Sequence, residues 1–293
     1  MKRQTINTYD FVLNLIPYLE SDVEKYDELI RKITDLITEM NKNLLGENSP
    51  GSFEFFNSGK IMFPYYSFGS VKSYFHLEYR ELVLFAIYKK ILGDYARFLD
   101  IGGNIGLHSL VASKISKCQI YYFEPDPKHY LEAEKRFKLN NLNGVVLNKN
   151  AISNFEGKTS FVRVLNNTTS SHIFGSKANP YGPLEKFEVS VSKMSRYIAD
   201  KGRTFAKIDI EGAEVDALKD LTFSDWERFD CVVEITDKAS AKGIMDIARL
   251  NSLYLYSQKM SWNAASDLED LPHRWNEGSV LISRSLERKN FLN

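Results

Sequence analysis

The stretch Phe98-Leu-Asp-Ile-Gly-Gly-Asn-Ile-Gly106 decides the fold. Phe98, Leu99 and Ile101 form the apolar run of a buried strand, with one acid, Asp100, near its carboxyl end. Gly102, Gly103 and Gly106 follow, and glycine permits positive φ and close approach of backbone to a ligand. The residues after Gly106 read as a helix whose first N–H groups point back into the turn. A second apolar run, Ile120-Tyr-Tyr-Phe123, ends at Glu124, eighteen residues past Gly106. A carboxylate at that strand end can accept hydrogen bonds from a ribose diol.

Strand, glycine turn, helix, strand and acid in this order bind an adenosine-containing cofactor. A dinucleotide site needs G-x-G-x-x-G so that backbone can cradle a pyrophosphate. Here the spacing is D-x-G-x-N-x-G, over Asp100, Gly102, Asn104 and Gly106. An anion before the first glycine opposes a pyrophosphate and suits an ammonium. The pattern therefore favours S-adenosylmethionine over NAD.

Working outward, residues 5–46 read as helical, with apolar residues from Val12 to Leu44 stepping by four and three in a heptad seam. Pro17 divides the segment into two helices, and Ser21-Asp-Val-Glu24 has the form of a capping box opening the second. The seam needs a partner surface. Either it packs on its own domain as a helical hairpin, or it makes a homodimer through residues 12–44. Residues 47–75 are an aromatic-rich linker, where Phe53-Glu-Phe-Phe56 and Ile61-Met-Phe63 flank a turn as a small hairpin. Its nine aromatics read as cover for the core rather than a stacking surface. An amphipathic helix is expected over 76–91 and a third strand at Val145–Leu147. A β-hairpin insertion follows, its strands at 157–164 and 185–191 around the polar loop Asn166–His172. A helix at 192–200 precedes further strands at 205–209, 231–235, 253–256 and 280–283. Strand–helix alternation of this kind is α/β, a parallel sheet covered on both faces.

The 293 residues carry no net formal charge, which leaves no electrostatic footprint for nucleic acid. Cys118 and Cys231 stand far apart without a Cys/His cluster, as in a reducing cytoplasm. No run is apolar enough to span a membrane, and no signal-length run follows the first residues.

Three signatures now stand in order: the glycine turn, Phe123-Glu-Pro-Asp-Pro127, and Lys207-Ile-Asp-Ile-Glu-Gly-Ala-Glu214. Together they resemble the FkbM-type S-adenosylmethionine-dependent methyltransferases, over roughly residues 76–236. The third is the most specific. One departure is Gly102-Gly103, where the family usually has Gly-Ala. The resemblance implies a Rossmann-like, seven-stranded, mostly parallel sheet of the class I methyltransferase type, with its last strand antiparallel. The chain then divides into an N-terminal helical element (1–46), the linker (47–75) and a methyltransferase domain (76–293). It also implies methyl transfer to a hydroxyl oxygen, often on sugars of bacterial surface glycans or on secondary metabolites. An NAD-dependent oxidoreductase and a non-catalytic partner subunit are the alternatives.

By position, Asp100 is expected to hold the methionine end. Gly102, Gly103, Asn104 and Gly106 form the turn, Glu124 and Pro125 border the ribose, and Asn150 and Ala151 the adenine. A sugar hydroxyl needs a positioned base. Asp209 and Glu211, two residues apart in an extended segment, point the same way on this reading. Glu234, at the neighbouring strand end, and His172, in the polar loop, are the other catalytic candidates, while His108 reads as packing. A divalent metal on Asp209, Glu211 and Glu234 is chemically allowed but not required. His273-Arg-Trp275 is a contact for an anionic acceptor or plain surface.

Overall fold

The computed structural model describes residues 8–69, 71–177, 182–287 and 291. The chain opens with α1 (Thr8–Leu19) and α2 (Val23–Leu45). The cap of α2 is Asp22, whose carboxylate accepts from Lys25 N at 3.1 Å, while Ser21 Oγ turns back to Tyr18 O. The cap expected at Ser21 therefore falls one residue later, on the carboxylate of Asp22, and the reciprocal bond of a capping box is not made. Val12, Ile16, Leu19, Ile33 and Ile37 are buried in one apolar cluster that runs on through the central sheet to Phe291. The heptad seam thus packs on the chain's own core.

β1 (Ser52–Phe53) pairs with β2 (Ile61–Met62), and β3 (Ser67–Phe68) with β4 (Val71–Lys72), all antiparallel. Phe53, Phe55 and Phe63 enter the same core. A 3-10 turn at Ser73–Phe75 leads into α3 (Tyr79–Ile91), so the helix begins three residues later than the sequence suggested. Eight of its thirteen residues are buried. It is not a one-sided amphipathic helix, because α1 and α2 cover one side and the sheet domain the other.

The α/β unit follows. β5 (Arg97–Ile101), α4 (Leu107–Ile115), β6 (Gln119–Phe123), α5 (Pro127–Leu139) and β7 (Val146–Asn148) make its first half. β8 (Asn150–Ser153), β9 (Gly157–Val164), β10 (His172–Ile173) and β11 (Leu184–Lys193) form a separate sheet in the order β10-β9-β11-β8. β9 and β11 pair antiparallel as expected, but the insertion is a four-stranded sheet and not a hairpin, because β8 adds parallel to β11. β11 runs on to Lys193, and only a 3-10 turn, Met194–Tyr197, stands where a helix was expected. The second half contains β12 (Thr204–Ile208), α6 (Glu214–Leu218), β13 (Phe229–Glu234), α7 (Lys238–Asn251), β14 (Tyr254–Ser257), β15 (Asn263–Ala264) and β16 (Ser279–Ser283).

The central sheet runs β15-β14-β16-β13-β12-β5-β6-β7. Its strands β13, β12, β5, β6 and β7 are parallel, and β16 is antiparallel between β13 and β14. These are the seven strands expected, with the two-residue β15 as an eighth at the edge. Alternate residues bury into opposite faces, Phe98, Tyr122 and Phe205 on one, Leu99, Phe123 and Ala206 on the other. Strand order reverses between β5 and β12, and ligands of open α/β sheets bind at such a switch, beyond the carboxyl ends. The register aligns those ends: Ile101 lies beside Ile208, and Ile208 beside Val233. The next residues of all three strands, Gly102, Asp209 and Glu234, therefore emerge at one level.

Candidate active site

Beyond those strand ends lies a cavity of about 770 Å³, within the range of small-molecule sites. Gly102, Gly103, Asn104, Glu124, Pro125, Asn150, Ala151, Asp209, Glu211 and Glu234 all line it. Gly106, Asp100 and His172 are not among its lining residues.

The glycine turn is set by its neighbours. Gly102 has φ +72°, and a Cβ there would stand 1.9 Å from the Asp209 carbonyl oxygen. No other residue lets the ends of β5 and β12 come so close. At Gly103 a Cβ would lie 2.5 Å from the Tyr122 ring. The buried tyrosine accounts for glycine where the family usually has alanine. Gly106 ends the turn and faces Phe137, away from the cavity.

Glu124 is buried. Its two carboxylate oxygens accept from Asn104 N at 3.0 Å and Asp126 N at 2.7 Å. Burial, and then the Asp126 carboxylate, push it up to about 8. A carboxyl group keeps further lone pairs for a diol. Asn104 lines the cavity with a buried side-chain oxygen that has no hydrogen-bond partner among the described residues. Asn150 Nδ2 reaches Tyr197 OH at 3.5 Å. These groups fit a nucleoside with donor hydroxyls.

Asp100 departs from expectation. It is fully buried, and its Oδ2 accepts from Ser109 N at 2.9 Å and Ser109 Oγ at 2.7 Å. It ties the first turn of α4 to β5 from behind the cavity wall.

The opposite half is built by the segment 207–214. Lys207, buried at the end of β12, reaches Asp209 Oδ2 at 3.1 Å and Gly102 O at 3.4 Å. Burial opposes its charge, yet Asp209, Asp100 and Glu81 hold it above its ordinary value. Burial alone would raise Asp209, but Lys207 and a hydrogen bond from the Glu234 carboxyl keep it low. Burial and Asp209 raise Glu234 well above the carboxylate range. The same two causes push Glu211 up to about 7. Glu211 was expected in extended backbone beside Asp209; instead it has φ +59°. Positive φ in a non-glycine residue is strain typical of functional sites. Glu214 holds this loop, its carboxylate accepting from Ile210 N at 3.1 Å and Gly212 N at 3.0 Å. Glu211 itself pairs with Lys177 from the insertion.

His172 is buried, with Nδ1 2.9 Å from Ser170 O. Its neighbours Asn167 to Ser171 and Ile173 line the cavity instead. Side chains alternate along β10, so Ile173 takes the cavity side and His172 the other. His273 bonds Leu268 O at 2.9 Å, and neither it nor Arg274 reaches the cavity.

Sequence reasoning missed several lining residues: Lys177, Lys207, His76, Arg80 and Glu81; His108, read as packing, also lines the cavity, 2.7 Å from Glu81. Lys207 stood inside the most specific motif, a signal that was available; Glu81 and His76 carry none. Burial pushes His76 down to about 3, and its Nε2 has no hydrogen-bond partner among the described residues. Among those residues no group of three His, Cys, Asp or Glu side chains is arranged to hold a metal. The cations inside the acid cluster are Lys207 and Lys177.

A switch-point cavity with a glycine turn, a ribose-side acid and an acid-rich fourth strand end, under this strand order, defines the class I methyltransferase fold. The family model of the FkbM methyltransferase domain matches residues 100–259, more than half of the chain, and the chain belongs to that family. Methyltransferase 1 of Beauveria bassiana is 25% identical over 177 residues, which cover 52% of this chain and 71% of that protein. Among solved structures, precorrin-6y C5,15-methyltransferase of Geobacter metallireducens is 12% identical. It covers 69% of this chain and 85% of its own, with a TM-score of 0.36. Ribosomal protein L11 methylase of Lactobacillus delbrueckii is 13% identical, covering 71% and 79%, with a TM-score of 0.39. The protein is a methyltransferase, and no helix among its described residues is long and apolar enough to cross a membrane.

Proposed function

We propose that this methyltransferase takes S-adenosylmethionine as donor and methylates a hydroxyl oxygen of a sugar or glycan precursor in the cytoplasm. The observation that carries the reading is one cavity holding both the glycine turn with Glu124 and three carboxyl groups, Asp209, Glu211 and Glu234. When bound, the donor supplies an activated methyl carbon for in-line displacement. Gly102, Asn104 and Glu124 position its nucleoside. Asn167, Thr168, Thr169, Ser170 and Ser171 line the insertion side of the cavity and suit a polyhydroxyl acceptor. Holding the acceptor oxygen in line supplies much of the rate.

As the new C–O bond forms, the hydroxyl proton passes to a carboxylate. Glu211, at about 7, is best matched to that task at neutral pH. Asp209, kept ionised by Lys207, orients the group beside it. Calorimetric titration with S-adenosylmethionine, followed by a screen of glycosides and nucleotide sugars for S-adenosylhomocysteine release, tests the reading. Micromolar binding and release with a neutral sugar support it. Turnover only with amines would reject the hydroxyl acceptor, and turnover only with nucleic acid would reject the glycan.

A further inference from the structure

The glycine turn lacks the carboxylate the sequence assigned to an ammonium, because Asp100 faces Ser109 behind the wall. Another acid does reach the cavity. Glu81, on α3, lines the cavity, and its Oε2 lies 2.7 Å from Nε2 of His108. His108 is the second residue of α4, two positions after Gly106. Glu81 is therefore one imidazole away from the helix that the glycine turn opens.

We propose that Glu81 takes the ammonium of the cofactor's amino-acid end, the role expected of Asp100. This assignment presupposes the S-adenosylmethionine reading above. Three features support it. First, Glu81 is placed: its Oε2 lies 2.7 Å from His108 Nε2, and His108 Nδ1 lies 3.0 Å from Tyr88 OH, so the imidazole spans the gap between the tyrosine and the carboxylate. Second, it is charged. Burial would push Glu81 up, but His108 and Lys207 beside it hold it below the ordinary value. Third, the nearby lysines are engaged elsewhere, Lys207 on Asp209 and Gly102 O, and Lys177 on Glu211. An ionised carboxylate bordering a cavity is a ready acceptor for an ammonium. Glu81 lies outside residues 100–259, the part of the chain that the family model matches.

The test compares two probes on the full-length protein. S-adenosylhomocysteine carries the ammonium; methylthioadenosine has the same nucleoside and no amino-acid end. For Glu81→Gln, calorimetry is expected to show S-adenosylhomocysteine weakened by about ten- to a hundredfold, as for a lost charged hydrogen bond, with methylthioadenosine unchanged. Asp100→Asn is expected to lower the melting temperature without separating the two probes. Undiminished S-adenosylhomocysteine binding by Glu81→Gln would overturn the assignment, and so would equal loss of both probes, the mark of a structural defect. Wild-type protein that binds neither probe would overturn the S-adenosylmethionine reading itself, and Glu81's role with it.

Discussion

The two halves of the cavity handle carboxylates in opposite ways. On the side of β5 and β6, each acid accepts at least two hydrogen bonds from nearby donors, although Asp100 Oδ1 has no partner among the described residues and Asp126 raises Glu124. Asp100 takes two from Ser109, Glu124 takes two backbone N–H groups, and Asp126 takes a bidentate pair from the buried Arg163. On the side of β12 and β13, acids face acids: Glu234 bonds Asp209, and Glu211 is raised by Asp209. Two lysines balance that charge, and the backbone is bent through positive φ at Glu211. The first arrangement is rigid and suits binding. The second holds protons whose ownership shifts with small changes of environment, which suits their transfer.

The comparison is broken most severely at Gly102, where the halves meet. Gly102→Ala would drive a Cβ into the Asp209 carbonyl in a conformation that alanine resists. Urea unfolding is expected to show a loss of roughly 3 kcal/mol or more, and S-adenosylhomocysteine binding should disappear. Gly144→Ala, with open space around its Cβ, is the control and should do neither.

Next in size comes the proton-handling half alone. Glu211→Gln is expected to lower kcat by about 10²–10⁴-fold while S-adenosylhomocysteine affinity stays near wild type. In the wild type, kcat/KM should rise with pH through about 7 as Glu211 loses its proton, and the variant should lack that limb. Asp209→Asn should also cut kcat and shift the limb, because it removes the charge that raises Glu211. A pH profile identical to wild type in Glu211→Gln would move the base to the Asp209–Glu234 pair.

What the sequence made legible follows the same division. The glycine turn and Glu124 are local patterns, each fixed by residues within one strand–turn–helix–strand passage, and they stand where spacing put them. The meeting of Asp209 with Glu234 depends on the register of β12 against β13, which follows once both strands end in an acid. The rest depends on tertiary packing. A heptad seam announces an apolar partner and not whose it is; here the chain's own core fills it. β8 and β10 are too short for periodicity to mark, so the insertion read as a hairpin and His172 was given the face that Ile173 occupies. Asp100 looked exposed to ligand because a strand-end acid usually is. Only the fold shows the first turn of α4 enclosing it while Glu81 comes in from α3.

The smallest effect lies in the pH dependence of the ligand-free protein, and it sharpens the comparison because both halves hold carboxyl groups raised by burial. Glu211 and Glu214 are pushed up to about 7, and Glu124 to about 8, all chiefly by burial. A carboxyl group whose folded value is raised binds its proton more tightly folded than unfolded. Its contribution is complete below the unfolded value, about 4.3 for glutamate, and is lost as pH rises through the folded value. Stability measured by urea unfolding should therefore fall from about pH 5 to about pH 8. Glu211→Gln should flatten the part of the curve up to about 7, and Glu124→Gln should flatten it out to about 8. The slope is the quantity to read. Glu124→Gln leaves one of two backbone N–H groups facing an amide nitrogen, which lowers the whole curve by about 1–3 kcal/mol whatever the pH. A curve for Glu124→Gln that kept its wild-type slope above pH 7 would place the carboxylate in the ionised state throughout, and the binding half would then be matched in charge as well as in hydrogen bonds.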